Sequence, residues 1–285
     1  ADMLINVSGA LAYPERYRRI PRLVYIDSDP VFTQVKLAKR QNDFRRMVEV
    51  HDVHFSFGEH FSDAVPATGL QWRPTRQPIV LSEWRPAKTT GKAFTTVMNW
   101  TSYKPLEFNG RTYAQKDVEF DRFIDLPGMV PGTTLEIAVN TGKTRRTPRG
   151  LLVQKGWHVV HPDNVCPDID SYRGYIKSSM AEWSVAKNGY VVGQSGWFSC
   201  RSACYLAAGK PVVVQETGFS KVLPTGDGIV SFRDVNGAVE GIRDVENCYG
   251  RHSSAARAIA EEYFDSDRVL GRLIEDAMAS DSDRA

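Results

Sequence analysis

Between residues 190 and 220 the chain reads YVVGQSGWFSCRSACYLAAGKPVVVQETGFS, an order of residue types suited to holding a phosphate ester. Residues 190–192 are a short apolar run that predicts a strand, and residues 193–196 are a glycine-bounded turn. Ser199 is placed to cap a helix over residues 200–208, which Gly209 and Pro211 stop. Residues 211–214 are mainly β-branched and too short for a helix, so they predict a buried parallel strand that delivers Gln215, Glu216, Thr217 and Gly218 to its C-terminal edge. The unpaired N–H groups and positive dipole end of a helix start attract an anion. Gly196, Trp197, Phe198 and Ser199 are therefore the candidate diphosphate site, with Glu216 and Thr217 placed to hydrogen-bond sugar hydroxyls beside it. Lys187, in the turn Lys187-Asn188-Gly189, can add a point charge to a phosphate oxygen or stand solvated. The same spacing also describes an ordinary strand–helix–strand unit that binds nothing.

The elements that must position this segment fall into two regions. The first carries predicted strands at residues 3–7, 23–26 and 53–57 and a helix over 31–50. A stretch over 66–92, punctuated by Pro66, Pro74, Pro78 and Pro86, reads as a linker. The second region alternates strands at 94–98, 135–139 and 158–160 with helices near 116–126, 148–155 and 171–179. After the glycine turn and its helix come a strand at 229–232, a helix over 235–245 and two tail helices broken at Asp265-Ser266-Asp267. Such alternation predicts the α/β class, with parallel sheets covered by helices on both faces. Asn99 and Trp100 end the strand at 94–98, on the sheet edge where a nucleotide lies in open α/β folds. Burial explains Trp100 as well.

The run Gly196-Trp197-Phe198-Ser199, an apolar helix, Gly209-Lys210-Pro211, a valine run and Glu216-Thr217 resembles the donor-binding segment of GT-B glycosyltransferases. The resemblance covers about thirty residues closely and the downstream part of the chain loosely. It implies two facing Rossmann-like regions: a short acceptor-side one over 1–85 and a complete donor domain over 86–285, with a terminal helix over 268–279 crossing back to the first. It further implies main-chain binding of a diphosphate at Gly196 to Ser199 and sugar recognition by Glu216, Thr217 and Gly218. The donor is then a nucleotide diphosphate sugar, the acceptor a small molecule or glycan, and neither a cofactor nor a protein-bound metal is needed. Two positions depart from the pattern: Gln194 stands where a phosphate-contacting histidine falls, and Ser202 where a ribose-binding glutamate falls. The first region is shorter than is usual in that class and lacks a glycine-rich first turn with a nearby histidine. A donor-binding protein without transferase activity is the rival reading this favours.

His54 and Glu59, flanking Phe57-Gly58 at a strand end, are the titratable groups best placed to activate an acceptor hydroxyl. Asp27-Ser28-Asp29 also follows a strand, and carboxylates two apart can hold a divalent cation, as in a phosphatase or a GT-A enzyme. Asp29 before Pro30 serves equally as a helix cap. Arg73, between prolines, either faces the cleft or is exposed. Asn140-Thr141-Gly142-Lys143-Thr144 lacks the first glycine of a phosphate loop. The pairs His51/His54 and His158/His161 have no third ligand near them in sequence.

The 285 residues are 42% hydrophobic and 25% charged, a soluble globular composition with room for one large or two modest domains. A net charge of +2 gives no drive toward nucleic acid or a membrane surface. No stretch reaches the roughly 18 apolar residues of a membrane span. The start, ADMLINVSGALAY, has neither the basic opening nor the apolar core of a secretory leader, and without an initiator Met it reads as a processed chain or a fragment. Cys166, Cys200, Cys204 and Cys248 form no CxxC pair, which predicts reduced thiols and a cytoplasmic location.

Overall fold

Runs buried along nearly their whole length form the inner strands of both sheets of the computed structural model, which describes residues 1–39, 42–86 and 91–279. Strands β1 (Met3–Val7), β2 (Arg22–Asp27), β3 (Val53–Ser56) and β4 (Trp72–Pro74) lie in that spatial order, all parallel. β4 falls inside the stretch expected to be a linker. Three residues beside a proline are too few to show a strand period, but Trp72 packs its ring edge-on to Tyr25 and His54 and so belongs to this layer. Helices α1 (Phe32–Ala38) and α2 (Asn42–Glu49) replace the single helix expected over 31–50; Arg40 and Gln41 between them lie outside the described residues, as do 87–90 of the expected linker.

The second sheet consists of β5 (Ala93–Met98), β8 (Thr134–Val139), β9 (His158–Val160), β10 (Ala181–Ser184), β11 (Val212–Gln215) and β12 (Ile229–Phe232). Its strands are parallel and run in the order β12-β11-β10-β5-β8-β9. Chain order therefore reverses between β5 and β10, and a crevice opens outside their carboxyl ends. A hairpin of β6 (Leu106–Phe108) and β7 (Arg111–Tyr113) leaves that edge after β5, turning on Asn109 and Gly110 at positive φ as a two-residue hairpin requires. The helices of this half are α3 (Lys116–Phe120), α4 (Leu126–Met129), α5 (Arg149–Gln154), α6 (Pro162–Val165), α7 (Ile169–Ser178), α8 (Asn188–Gly193), α9 (Cys200–Ala207), α10 (Val235–Asn247) and α11 (Tyr249–Ile259).

One sequence expectation fails here. Residues 190–192 are not a strand but lie in α8, and the strand that feeds the glycine turn is β10, with sequence AEWS. All four β10 residues are buried, including Glu182, so polarity masked a core strand. The helix expected over 116–126 is broken into α3 and a 3-10 turn at Asp121–Phe123 before α4 begins. Trp157 and Trp183 with Phe120 and Phe123 fill one face of the second sheet; Tyr205, Leu206, Phe219 and Phe264 fill the other.

The chain crosses between the sheets twice. Ile79 on the outward path pairs with Asp265 on the return. Helix α12 (Ser266–Met278) then lays Leu273 and Ala277 on Val24, Ile26, Val53 and Phe55 of the first sheet. At the other end of the cleft, α8 turns Gly189 toward Phe32 and Gly193 toward Val31. A Cβ at either glycine would stand 2.5 Å from the facing side chain. Among the described residues no helix is long and apolar enough to cross a membrane.

The glycine contact predicts opposite signs for two similar substitutions. Gly193→Ala meets Val31 and is expected to destabilise by about 1–3 kcal/mol, whereas Gly174→Ala on α7, with nothing within 4 Å of the new methyl, should gain up to about 1 kcal/mol from helix propensity. Denaturant unfolding of the two variants decides the matter, and equal effects would remove the packing role assigned to Gly193.

Candidate functional site

Glu182 on β10 has no solvent exposure, and a carboxylate there must be matched in place. The match is Arg201 on the first turn of α9, whose Nε lies 2.6 Å from Glu182 Oε1. The same guanidinium donates to the Val97 carbonyl on β5 at 2.8 Å and to Ser184 Oγ on β10 at 3.1 Å. Burial works against its charge, but Glu182 together with Tyr172 and Tyr205 offsets this and raises its pKa above the ordinary value. One side chain thus fastens the start of α9 to both strands of the switch point.

Lys116 opens α3 at the same edge. It is 8% exposed, whereas among the described residues the buried ammonium without a hydrogen-bond partner is that of Lys210, between α9 and β11. Burial first, then the like charges of Arg201 and Lys187, hold the pKa of Lys116 well below the lysine range, against the opposing pull of Glu182 and Cys200. Lys116, Arg201 and Lys187 are therefore coupled electrostatically. Ser199 sits at the N-cap with extended backbone, yet its hydroxyl makes no capping bond. A small pocket lined by Ser184, Ala186, Trp197, Ser199 and Arg201 lies against that end of the helix.

Several predicted residues are brought to this edge, with partners of their own. Gly196 takes φ +76, and its N–H bonds the Thr217 carbonyl; the open side of the turn faces the first region, where a Cβ would meet the His60 amide at 2.7 Å. Trp197 stacks on Tyr190 with ring centroids 4.1 Å apart. Phe198 is buried against Phe219 and Phe264, and its carbonyl accepts from Gln77 at 2.7 Å. Glu216 Oε1 accepts the Gly218 N–H at 2.6 Å, Thr217 donates its hydroxyl to the Trp197 carbonyl, and both residues are buried. In this structure they tie the glycine turn to β11.

Lys187 reaches across the cleft instead of standing free. Its Nζ is 2.8 Å from Asp29 Oδ1 and 3.1 Å from the Tyr103 hydroxyl. Asp29 also accepts from the hydroxyls of Tyr103 and Tyr190, so one carboxylate of the first region holds three donors of the second. Asp27 is fully enclosed and accepts from Thr33, Gln34, Ser56 and the Asp29 N–H. These donors are the hydrogen-bond partners of the Asp27 and Asp29 carboxylates. Among the described residues no group of His, Cys, Asp and Glu has the arrangement of a metal site.

The expectation for Trp100 is corrected: its side chain has no exposure and packs on Phe120 in the core, so it cannot cover a base. Asn99 stays exposed at the β5 edge, where it accepts from Asn140 across the β8 loop. His54 is corrected too. It lies within β3, away from the carboxyl edge, buried against Tyr25 and Trp72 with Nε2 on the Val48 carbonyl at 2.9 Å, and burial lowers its pKa. Glu59 does stand at the β3 edge, but it is paired with Arg76 while burial raises its pKa. Arg73 Nη1 donates to the Asp276 carbonyl on α12.

Lys116, Arg201 and His60 carry no signal in the sequence. Lys116 and Arg201 look like solvated helix charges in sequence, since only the fold brings them to Glu182. His60 follows Glu59, is exposed, donates its main-chain N–H to the Ser195 carbonyl at 3.0 Å, and has Nε2 2.9 Å from Lys221 Nζ. His60 thus faces the loops that carry Ser195 and Lys221.

No protein-family model matches the sequence, and no curated protein matches it. Solved structures do match the fold. A sucrose-phosphate synthase from Thermosynechococcus elongatus superposes with TM-score 0.59 at 13% identity over 96% of this chain and 73% of its own. An alpha-glucosyltransferase in complex with UDP-glucose and DNA containing an abasic site gives 0.61 at 13% identity, covering 98% and 80%. HepE from Anabaena in complex with UDP-glucose gives 0.60 at 14% identity, covering 96% and 78%. At such identities the likeness establishes the fold, which is that of GT-B glycosyltransferases.

Two outcomes follow from this geometry. Asp29→Ala strands Lys187 and two tyrosines, and should cost roughly 2–4 kcal/mol in denaturant unfolding; a neutral result would deny the clamp. His54, with its folded pKa below the unfolded 6.5, contributes stability that is present above pH 6.5 and lost as pH falls through that value toward the folded pKa, because the unfolded chain binds the proton first. His54→Phe should flatten the acid limb of a stability–pH curve, and an unchanged slope would show that this imidazole is not buried neutral.

Proposed function

We propose that this chain binds a nucleotide diphosphate sugar at the crevice between β5 and β10 and transfers the sugar to an acceptor hydroxyl. The observation that carries the reading is the start of α9 at the switch point: a helix end without a side-chain cap, with Arg201 on its first turn and Lys116 electrostatically coupled to it. A diphosphate is a ligand suited to basic side chains and a helix dipole together. The GT-B fold supports the donor class, since its neighbours in complex with UDP-glucose share the arrangement of sheets.

The chemistry then divides between the two regions. Lys116, Arg201 and the opening amides of α9 hold the diphosphate and stabilise the negative charge that develops on it as the bond to the sugar breaks. Glu216, Thr217 and Gly218 end the neighbouring strand and stand on the sugar side. The first region supplies the facing wall through Gly58, Glu59 and His60, where the acceptor enters. Protein cations perform the charge neutralisation that a divalent ion performs in other transferases, so donor binding is metal-independent on this reading.

Because Lys116 is held toward its neutral form, a bound diphosphate recharges it. Calorimetric titration of UDP and UDP-glucose in buffers of different ionisation enthalpy should show net proton uptake, and affinity should strengthen as pH falls. Lys116→Met should abolish the uptake and weaken binding by about 2–3 kcal/mol, the scale of a charge-assisted hydrogen bond. Added chelator should change neither. Absence of binding by UDP and a panel of nucleotide sugars at millimolar concentration would refute the donor assignment, while binding without release of UDP from the sugar would leave a donor-binding protein that does not transfer.

A further inference from the structure

Where the chain returns to the first sheet there is a cavity of about 210 Å3 that shares no lining residue with the pocket at the start of α9. One wall is the carboxyl end of β3 and β4, with Glu59, Thr75 and Arg76; the other is α12, with Arg268, Arg272 and Asp276. A π turn at Ala260–Phe264, a feature frequent at functional sites, brings Tyr263 to the same cavity. Arg76 is already held there. It pairs with buried Glu59, to which its Nε donates at 3.1 Å, and its guanidinium lies 5.3 Å from the centre of the Tyr263 ring.

Arg268 and Arg272 are not accounted for by the fold. Four residues apart on α12, they share a face and repel each other. Arg268 also stands in the first turn, where the positive end of the helix dipole disfavours a cation. Among the described residues no ion pair joins either arginine to a carboxylate: Glu59 is taken by Arg76, Glu262 is exposed, and Arg73 of the first region holds the main chain at Asp276. Local rules broken without compensation inside the chain mark functional positions. An anion seated between the two side chains offsets both penalties, because it accepts charge-assisted hydrogen bonds from their planar forks and lies at the favourable end of the dipole.

We infer that this cavity is an anion site separate from the donor crevice, that it takes a small phosphate- or carboxylate-bearing ligand between Arg76, Arg268 and Arg272, and that its occupancy steadies the glycine turn. The route to the turn is short. Arg76 is followed by buried Gln77, whose Nε2 donates to the Phe198 carbonyl at 2.7 Å, and Phe198 packs on Phe264 of the π turn. The Arg76 guanidinium also lies over the Phe264 ring. A ligand that fixes Arg76 against α12 therefore fixes the backing of Gly196 to Ser199. Anion binding here is independent of the donor reading; only its effect on the turn touches the proposed donor site.

Calorimetric titration of the full chain at constant ionic strength, with and without UDP, uses inorganic phosphate and malonate as probes of the two ligand classes. At least one should bind, and the tighter of the two identifies the group the natural ligand carries. Arg268→Gln and Arg272→Gln should each weaken that binding by about tenfold, the scale of one charge-assisted hydrogen bond. Without ligand, both variants should resist denaturant at least as well as the parent chain, because a repulsion has been removed. Amide exchange over residues 195–199 should slow when the probe binds. Failure of both probes to bind at millimolar concentration overturns the site, and so does binding that UDP displaces and neither arginine variant weakens, since that anion sits in the donor crevice. Binding through the arginines with no change in exchange over the turn overturns the coupling. A chain that binds the probe through Arg268 and Arg272 but does not bind UDP refutes the donor reading and leaves this site standing.

Discussion

A carboxylate enclosed in a sheet cannot be left alone, and the pairing of Glu182 with Arg201 is the interaction on which this molecule's chemistry turns. Arg201 is drawn in from the first turn of α9 to reach β10, and on the way it satisfies a carbonyl of β5. That single contact fixes the helix start against both strands at the point where chain order reverses. It also sets the electrostatics of what is left. Arg201 engages Glu182 Oε1 while Oε2 keeps no hydrogen-bond partner, and burial with the like charge of Arg201 holds the Lys116 pKa well below its ordinary value. Replacing the buried pair by apolar residues would be tolerable for folding. It would also remove the reason for α9 to begin where it does.

The junction between the two sheets depends on backbone as much as on charge. Val31 takes φ +70, a conformation that costs a β-branched residue about 1–3 kcal/mol. The rest of the contact over-determines it: Gln34 Oε1 accepts the Val31 N–H at 2.6 Å, and the side chain is seated on Gly193. Asp29, two residues earlier, collects Lys187, Tyr103 and Tyr190. The strained turn is thus held by the opposite half of the molecule. Apolar packing continues from Phe32 to Tyr103 and Tyr190 and on to the β6–β7 hairpin. An interface of this kind limits free rotation of the two halves more than polar loops would.

The periodic parts of the chain were legible because burial writes them twice, once as apolar residues and once as punctuation. The strands at β1, β8, β9, β11 and β12 and the helices α9, α10 and α12 stand where alternation and turn residues place them. β10 was not legible, because Glu182 and Ser184 make AEWS look like surface, and only Arg201, nineteen residues on, explains why a carboxylate is inside. α8 was misread for a related reason: Tyr-Val-Val resembles a strand until Gly189 and Gly193 are seen to share one helical face. For the site, glycines and helix ends were readable while charge partners were not. Sequence spacing cannot show that Lys116 comes to Arg201, or that His54 turns into the helical layer while His60 reaches the cleft. Those facts live in tertiary contacts between segments more than fifty residues apart in the first case, and in which face of one strand is buried in the second.

Lys187 joins the junction to the site, and its position has a thermodynamic consequence. The ammonium is a point donor and sits on Asp29, 2.8 Å away. A diphosphate drawn to Lys116 and Arg201 adds a competing anion within reach of the same electrostatic field. Lys187 cannot be fully engaged by both. Whatever it gains toward the phosphate it loses toward Asp29, so on the proposed reading donor binding and the interdomain clamp are linked, and each must weaken the other by the same free energy. Tyr103 and Tyr190 keep part of the clamp whichever way the lysine turns, because their hydroxyls bond Asp29 directly. On that reading the lysine side of the Asp29 clamp can weaken while the two tyrosines keep the sheets joined.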